Sequence, residues 1–212
     1  MLPNYGNPEY WKKLYEEQQG KTYDWLEGYK TLKPIIKTLI NPTSKILILG
    51  CGNAELSEEM YLDGFHNIEN IDISEAVIQQ MASRCHHMPE MKWKIMDVRD
   101  LEYPSNFFDI AIDKGTIDAL LCGTNSYLSV ARMTKEVQRV LKVGGVYMVV
   151  SLGVCDSKLE HLESKHLYWE TYYPDIDEES DIVHDVYLCK KKEGADKVCE
   201  DNWHEIEAKF NR

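Results

Sequence analysis

Aromatic and charged residues dominate the first 44 positions, spaced for helices. Pro8 to Gln19 reads as one helix closed by Gly20. A second is predicted from about Glu27 to Ile40, where Asn41-Pro42 ends it. At residue 45 the pattern changes. Ile46-Leu47-Ile48-Leu49 is a short apolar run of strand length, followed by the turn Gly50-Cys51-Gly52-Asn53-Ala54. A helix is predicted over Ala54–Asp63 with Gly64 just past its end. A strand then closes on Asn70-Ile71-Asp72-Ile73. Ser74 caps a helix to His87, with Val77, Ile78 and Met81 on one face. Strands at Met91–Met96 and Phe108–Asp113, a helix over Ser126–Leu141 closed by Gly144-Gly145, and an apolar strand over Val146–Ser151 continue the alternation. Alternating β and α elements predict an α/β fold, doubly wound, with a mainly parallel sheet and helices on both faces. Beyond Ser151 the pattern weakens. A helix over Cys155–Glu163, a strand over His166–Tyr173, an acidic loop over Asp175–Asp181, a last strand over Ile182–Lys190 and a charged tail over 191–212 are expected.

The stretch from Lys45 to Ser74 carries the chemistry. A strand, a glycine turn, a helix and a second strand ending in a carboxylate build a pocket for a nucleoside. The glycines allow close approach of backbone, and Asp72, 20 positions after Gly52, is placed for ribose hydroxyls with Ile73 beside it. A dinucleotide fold tends to carry a third glycine, and here Ala54 and Glu55 stand in that region. Lys-Ser/Thr of a phosphate loop is also missing. Glu55, Glu58 and Glu59 near the helix start would repel a pyrophosphate. A sulfonium cofactor has no phosphate and carries a positive centre, so S-adenosylmethionine fits better than NAD. Asp97 and the Val98 amide, at the end of the third strand, are placed for the adenine amino group and ring nitrogen. Phe107 to Asp113 ends at the same carboxyl edge, where open α/β sheets bind ligands.

Composition narrows the class. A chain of 212 residues suits one α/β domain, and 43% hydrophobic with 28% charged residues is ordinary for a globular protein. The formal net charge of −12 makes nucleic acid a poor general partner and suits a basic protein. The six cysteines are scattered, without C-x-x-C, and His86, His87, His161 and His166 have no metal-like arrangement, so no metal site is expected. Dispersed thiols, a start lacking a signal-peptide pattern and the lack of any apolar run near the roughly 18 residues of a membrane span predict a cytoplasmic protein with no membrane partner.

The same residues resemble a known family. Leu49-Gly50-Cys51-Gly52-Asn53, Met96-Asp97-Val98-Arg99 and the octapeptide Asp113-Lys114-Gly115-Thr116-Ile117-Asp118-Ala119-Leu120 are similar to the seven-stranded, class I S-adenosylmethionine-dependent methyltransferases. Together with Tyr10-Trp11 and Tyr23-Asp24-Trp25 these motifs carry a narrower likeness, to the methyltransferase-like group that includes the elongation factor 1-alpha lysine methyltransferases. The octapeptide is the most specific part, and the glycine loop alone is weak. The resemblance implies a seven-stranded sheet and a division into an N-terminal helical cap (1–44), a cofactor-binding core (45–151) and C-terminal strands on the substrate side (152–212) of one domain. It also implies a cofactor-side role for Lys114 and an N-terminal segment folded over the cofactor. That last role falls to Trp11, Tyr15 and Trp25, whose faces can attract a cation within about 6 Å. Ile48 departs from the class, many of whose members carry an acid there for the methionine amine. The expected reaction is methyl transfer to a lysine, with Asp113 orienting the amine and Thr116 and Asp118 completing the catalytic segment. A small-molecule methyltransferase and a non-catalytic scaffold that binds the cofactor are the competing readings.

Overall fold

Side-chain direction alternates along each strand, and this sorts the apolar residues into two cores on opposite faces of one sheet. The computed structural model describes residues 3–153, 156–176 and 180–210. Its elements run α1 (Pro8–Glu17), α2 (Tyr29–Leu39), β1 (Ile46–Leu49), α3 (Leu56–Leu62), β2 (Ile68–Asp72), α4 (Glu75–Arg84), β3 (Lys92–Ile95), β4 (Phe108–Lys114), α5 (Thr116–Leu121), α6 (Ser126–Val140), β5 (Leu141–Ser151), α7 (Leu159–Leu162), β6 (Trp169–Tyr172), β7 (Asp185–Lys191) and α8 (Ala195–Phe210). The seven-stranded sheet has the order β3-β2-β1-β4-β5-β7-β6. β7 runs antiparallel to both neighbours, and the remaining pairs are parallel. The chain winds outward from β1 to β3, then returns to β4 on the other side of β1. Their carboxyl ends flank the crevice where ligands of such sheets bind.

In β1, Ile46 and Ile48 join the core built with α2, α3 and α4, while Leu47 and Leu49 join the core built with α5 and α6. Each such fully buried side chain contributes about 1.5–3 kcal/mol of transfer free energy. In β4 the parity breaks. Phe108 and Ala111 share one core and Ile110 and Ile112 the other, and the pairing with β5 is irregular between Phe108 and Ile110. A bulge of this kind flips the facing of every later residue in the strand.

The helix ends have local causes. Pro8 opens α1, and the Asn7 side chain accepts from Glu9 N at 3.0 Å. Three differences from the sequence reading stand out. β5 begins at Leu141 rather than Val146, so Gly144-Gly145 lies inside the strand, with Gly144 at φ 80°. The short helix α5 was not anticipated. The charged tail folds into α8, which packs on α6 and buries Ala195, Cys199 and Ile206. That apolar stripe is too thin to stand out among the surrounding charges. Met1, Leu2, Cys155, positions 177–179 of the acidic loop and the last two positions of the tail lie outside the described residues.

Candidate active site

The crevice begins at the glycine turn after β1. Gly50 and Gly52 have φ of 58° and 53°, the left-handed region that glycine adopts without steric cost. A Cβ on Gly50 would lie 2.2 Å from Thr116 Oγ1, and one on Gly52 would lie 2.8 Å from Tyr15 Oη. A side chain at either position would therefore collide with Thr116 or Tyr15, which pack against the turn. Gly52 N donates to Asp72 Oδ2 at 3.0 Å and Ser74 N donates to Asp72 Oδ1 at 2.9 Å, fixing the end of β2 against the turn. Burial pushes the Asp72 carboxyl above its ordinary value, opposed by the Ser74, Gly52 and Ile73 amides. Each of its oxygens keeps accepting capacity beyond these bonds.

A cavity of about 390 Å³ opens over the turn, in the range of small-molecule sites. Its far wall comes from the N-terminal segment. Trp11 stacks on Tyr15 with centroids 6.0 Å apart and meets Trp25 edge-on at 5.8 Å, while Trp11 Nε1 donates to Tyr5 O at 2.7 Å. The segment seats where Gly6 touches the α5–α6 connection. A Cβ on Gly6 would lie 2.2 Å from Gly123 N, so the two backbones meet because Gly6 has no side chain.

Trp11, Tyr15, Trp25, Gly50, Gly52, Asp72, Ile73, Asp97, Val98, Lys114, Thr116 and Asp118 all line this cavity. Asp113 does not, and the expectation that it meets an incoming amine is corrected. Its carboxylate is fully buried and accepts from Thr116 N at 2.8 Å, Ile117 N at 3.1 Å and Tyr147 Oη at 2.7 Å. It caps α5 from beneath, and burial pushes its pKa up to about 7. The carboxylate that does reach the cavity from this segment is Asp118. It accepts from Ser151 Oγ at 2.8 Å, Leu152 N at 3.2 Å and Lys158 Nζ at 3.2 Å.

The other candidates are held by their own neighbours. Asp97 is forked by Arg99, with Nε at 2.9 Å and Nη2 at 2.7 Å. Burial raises its pKa, but the Arg99 hydrogen bonds more than offset this and leave it lowered. The Val98 N–H makes no backbone hydrogen bond among the described residues. Thr116 Oγ1 donates to Leu49 O at 2.9 Å, joining α5 to the end of β1. Lys114 Nζ points to the N-terminal segment, donating to Trp25 O at 2.7 Å and Asp24 Oδ1 at 3.1 Å.

Two residues that the sequence offered only as members of motifs take part in the site. Asn53 is buried and lines the cavity; its Nδ2 donates to Lys21 O at 3.0 Å, and its Oδ1 has no partner. Asp24 joins Lys114 to the glycine turn, because its Oδ2 accepts from Glu55 N at 3.2 Å. Both roles depend on the N-terminal segment folding back across the turn, which no local periodicity encodes.

A family model described as a methyltransferase domain matches residues 40–210. The chain belongs to this methyltransferase family, and the cofactor is S-adenosylmethionine. Among its relatives, EEF1A lysine methyltransferase 4 of Mus musculus is 31% identical over 174 residues, covering 78% of this chain and 68% of that protein. The eEF1A lysine and N-terminal methyltransferase of Homo sapiens is 41% identical over 152 residues, or 70% of this chain. The chain spans 22% of the length of that longer relative. A TehB-like SAM-dependent methyltransferase from Corynebacterium glutamicum shares the fold with a TM-score of 0.60 at 16% identity, covering 88% of this chain and 100% of that one. A SAM-dependent methyltransferase from Methanosarcina mazei does so with a TM-score of 0.59 at 18% identity, covering 75% and 97%.

The residues present fit that cofactor. The glycine turn lines the cavity, acids stand at the ends of β2 and β3, and Asn53 Oδ1 is without a donor.

Proposed function

We propose that this chain is an S-adenosylmethionine-dependent protein-lysine N-methyltransferase acting on translation elongation factor 1-alpha in the cytoplasm. The observation that carries the reading is Asp118, a carboxylate in the wall of the same cavity that holds the glycine turn and Asp72. The relatives named for this substrate, at 31% and 41% identity, support it.

When bound, S-adenosylmethionine supplies an electrophilic methyl group. The chain's own residues do the rest. Asp72 accepts from the ribose hydroxyls, and the Val98 amide and Asp97 meet the adenine edge. Asn53 Oδ1 takes the amino group for which Ile48 offers no acid. Trp11, Tyr15 and Trp25 cover the positive centre and exclude water. A lysine nucleophile must enter neutral, and a poorly hydrated aromatic wall lowers its pKa. Asp118 then accepts a hydrogen bond from the amine and orients its lone pair. Methyl transfer is an in-line displacement, so alignment supplies most of the acceleration.

A net charge of −12 suits a basic partner through steering. Among the described residues no helix is long and apolar enough to cross a membrane. The test is mass spectrometry of elongation factor 1-alpha after incubation with the protein and the cofactor. Methylation of a lysine side chain, lost with Asp118→Ala, is expected. Label confined to RNA or a metabolite, or full turnover by Asp118→Ala, would overturn the reading.

A further inference from the structure

Residues 21–26 cross the mouth of the cavity as a strap. On one side they are tied to the glycine turn. Tyr23 N donates to Asn53 O at 3.1 Å, Asn53 Nδ2 to Lys21 O at 3.0 Å, Thr22 Oγ1 to Glu55 Oε1 at 3.1 Å and Glu55 N to Asp24 Oδ2 at 3.2 Å. On the other side they reach the end of β4, where Lys114 Nζ bonds the Asp24 carboxylate and the Trp25 carbonyl together. The Lys114 side chain is only 6% exposed. A buried ammonium is costly unless its donors are matched by a charge and hydrogen-bond acceptors. Here those acceptors come from the strap.

The next residue carries backbone strain. Leu26 has φ of 62°, a conformation that side chains other than glycine rarely hold without surrounding constraint. It lies over Gly115, where a Cβ would sit 3.6 Å from Leu26 Cδ1. Tyr23, Trp25 and Leu26 all line the cavity. The strap is therefore pulled across the site in a strained form, with the two Lys114 bonds adjoining the strained residue.

We propose that Lys114 is a latch. It holds the strap closed over the bound cofactor through Asp24 and Trp25, and acts on cofactor residence as a positioning residue, without touching the cofactor. Closing the latch joins the turn that receives the cofactor to the β4–α5 edge that presents Asp118. Opening it frees the strap to move aside for exchange of spent cofactor. The inference rests on the cavity being the S-adenosylmethionine site.

The test uses the full chain, Lys114→Met, Asp24→Asn and the double variant, with S-adenosylhomocysteine as the probe. Dissociation is followed by tryptophan fluorescence, and strap opening by amide hydrogen exchange over residues 21–26. A latch requires that each single variant release the probe about tenfold faster. It also requires faster strap exchange, unchanged protection in β1 and β5, and a double variant no worse than either single. Faster release in Lys114→Met alone, with Asp24→Asn like wild type, would make Lys114 a direct cofactor contact and overturn the latch. Unchanged strap exchange in both singles would overturn it as well. Should Lys114→Met lose protection throughout the sheet, Asp24→Asn decides on its own. Wild type that binds no S-adenosylhomocysteine would refute the cofactor site itself, a result distinct from binding with an unaltered strap.

Discussion

Gly52 shows how a single backbone position serves both fold and site. Its φ of 53° and the Tyr15 hydroxyl 2.8 Å from a built Cβ leave no room for a methyl group. Gly52→Ala should cost about 1 kcal/mol or more through the strained φ. It should also displace Tyr15 and weaken cofactor binding, and paired denaturation and titration experiments read both. Asp113 carries a different consequence. Its folded pKa of about 7 lies above the ordinary aspartate value, so the folded state holds the proton more tightly than the unfolded chain. The stability it contributes is largest below about pH 4 and is lost as the pH rises towards 7. Asp113→Asn cannot ionise. Wild-type stability relative to this variant should therefore fall between pH 4.5 and 7.5 and then level off, as urea midpoints across that range will show. A difference that grows with pH would contradict this. The sequence placed Asp113 at the right edge of the sheet but could not show its facing. The β4 bulge turns Ala111 towards the Tyr147 side, and Asp113, two positions on, follows it into the core rather than the crevice. Asp118 reaches the cavity because the Asp113-capped turn carries it there.

At the scale of elements, the N-terminal segment is the part whose sequence and role agree least obviously. Its aromatic content pointed to the site, and Trp11, Tyr15 and Trp25 do line the cavity. The docking device was not legible, because Gly6 and Gly123 are two small residues far apart in the chain whose contact is purely tertiary. Gly6→Val should lift the segment, since the added atoms would fall within 2.2 Å of Gly123 N. Faster tryptic cleavage at Lys12 and Lys13 and at least tenfold weaker binding of S-adenosylhomocysteine are expected. Wild-type cleavage and affinity would mean that the segment docks by other contacts. The helices α3, α4 and α6 were readable from the sequence pattern, with ends shifted by a few residues, although Ser74 stands at the start of α4 without making a capping hydrogen bond. α8 was not, because its contact with α6 uses three buried residues, Ala195, Cys199 and Ile206, in a charged run.

The whole molecule is a single sheet whose strand order reverses at β1, with the glycine turn, Asp72, Asp97 and Asp118 gathered at the carboxyl ends of its parallel strands. The glycine turn and Asp72 were legible because each follows a recognisable strand pattern, whereas Asp118 lies in α5, a helix that the spacing of apolar positions did not predict. The cavity's outer wall was legible only through the family resemblance that placed Trp11, Tyr15 and Trp25 over the cofactor. A charge of −12 spread over this scaffold predicts association with a basic substrate that weakens as salt rises, measurable as a falling kcat/KM between low and physiological ionic strength. The central claim is that the cavity above Gly52 and Asp72 is the cofactor site. Isothermal titration of the full chain and of Asp72→Asn with S-adenosylhomocysteine tests it most directly. Wild type should bind in the micromolar range, about −8 kcal/mol. The folded variant should bind at least tenfold more weakly, through loss of a charge-assisted hydrogen bond of about 1.5–3 kcal/mol. Heat with NAD but none with S-adenosylhomocysteine, or equal affinity in the folded variant, would contradict it.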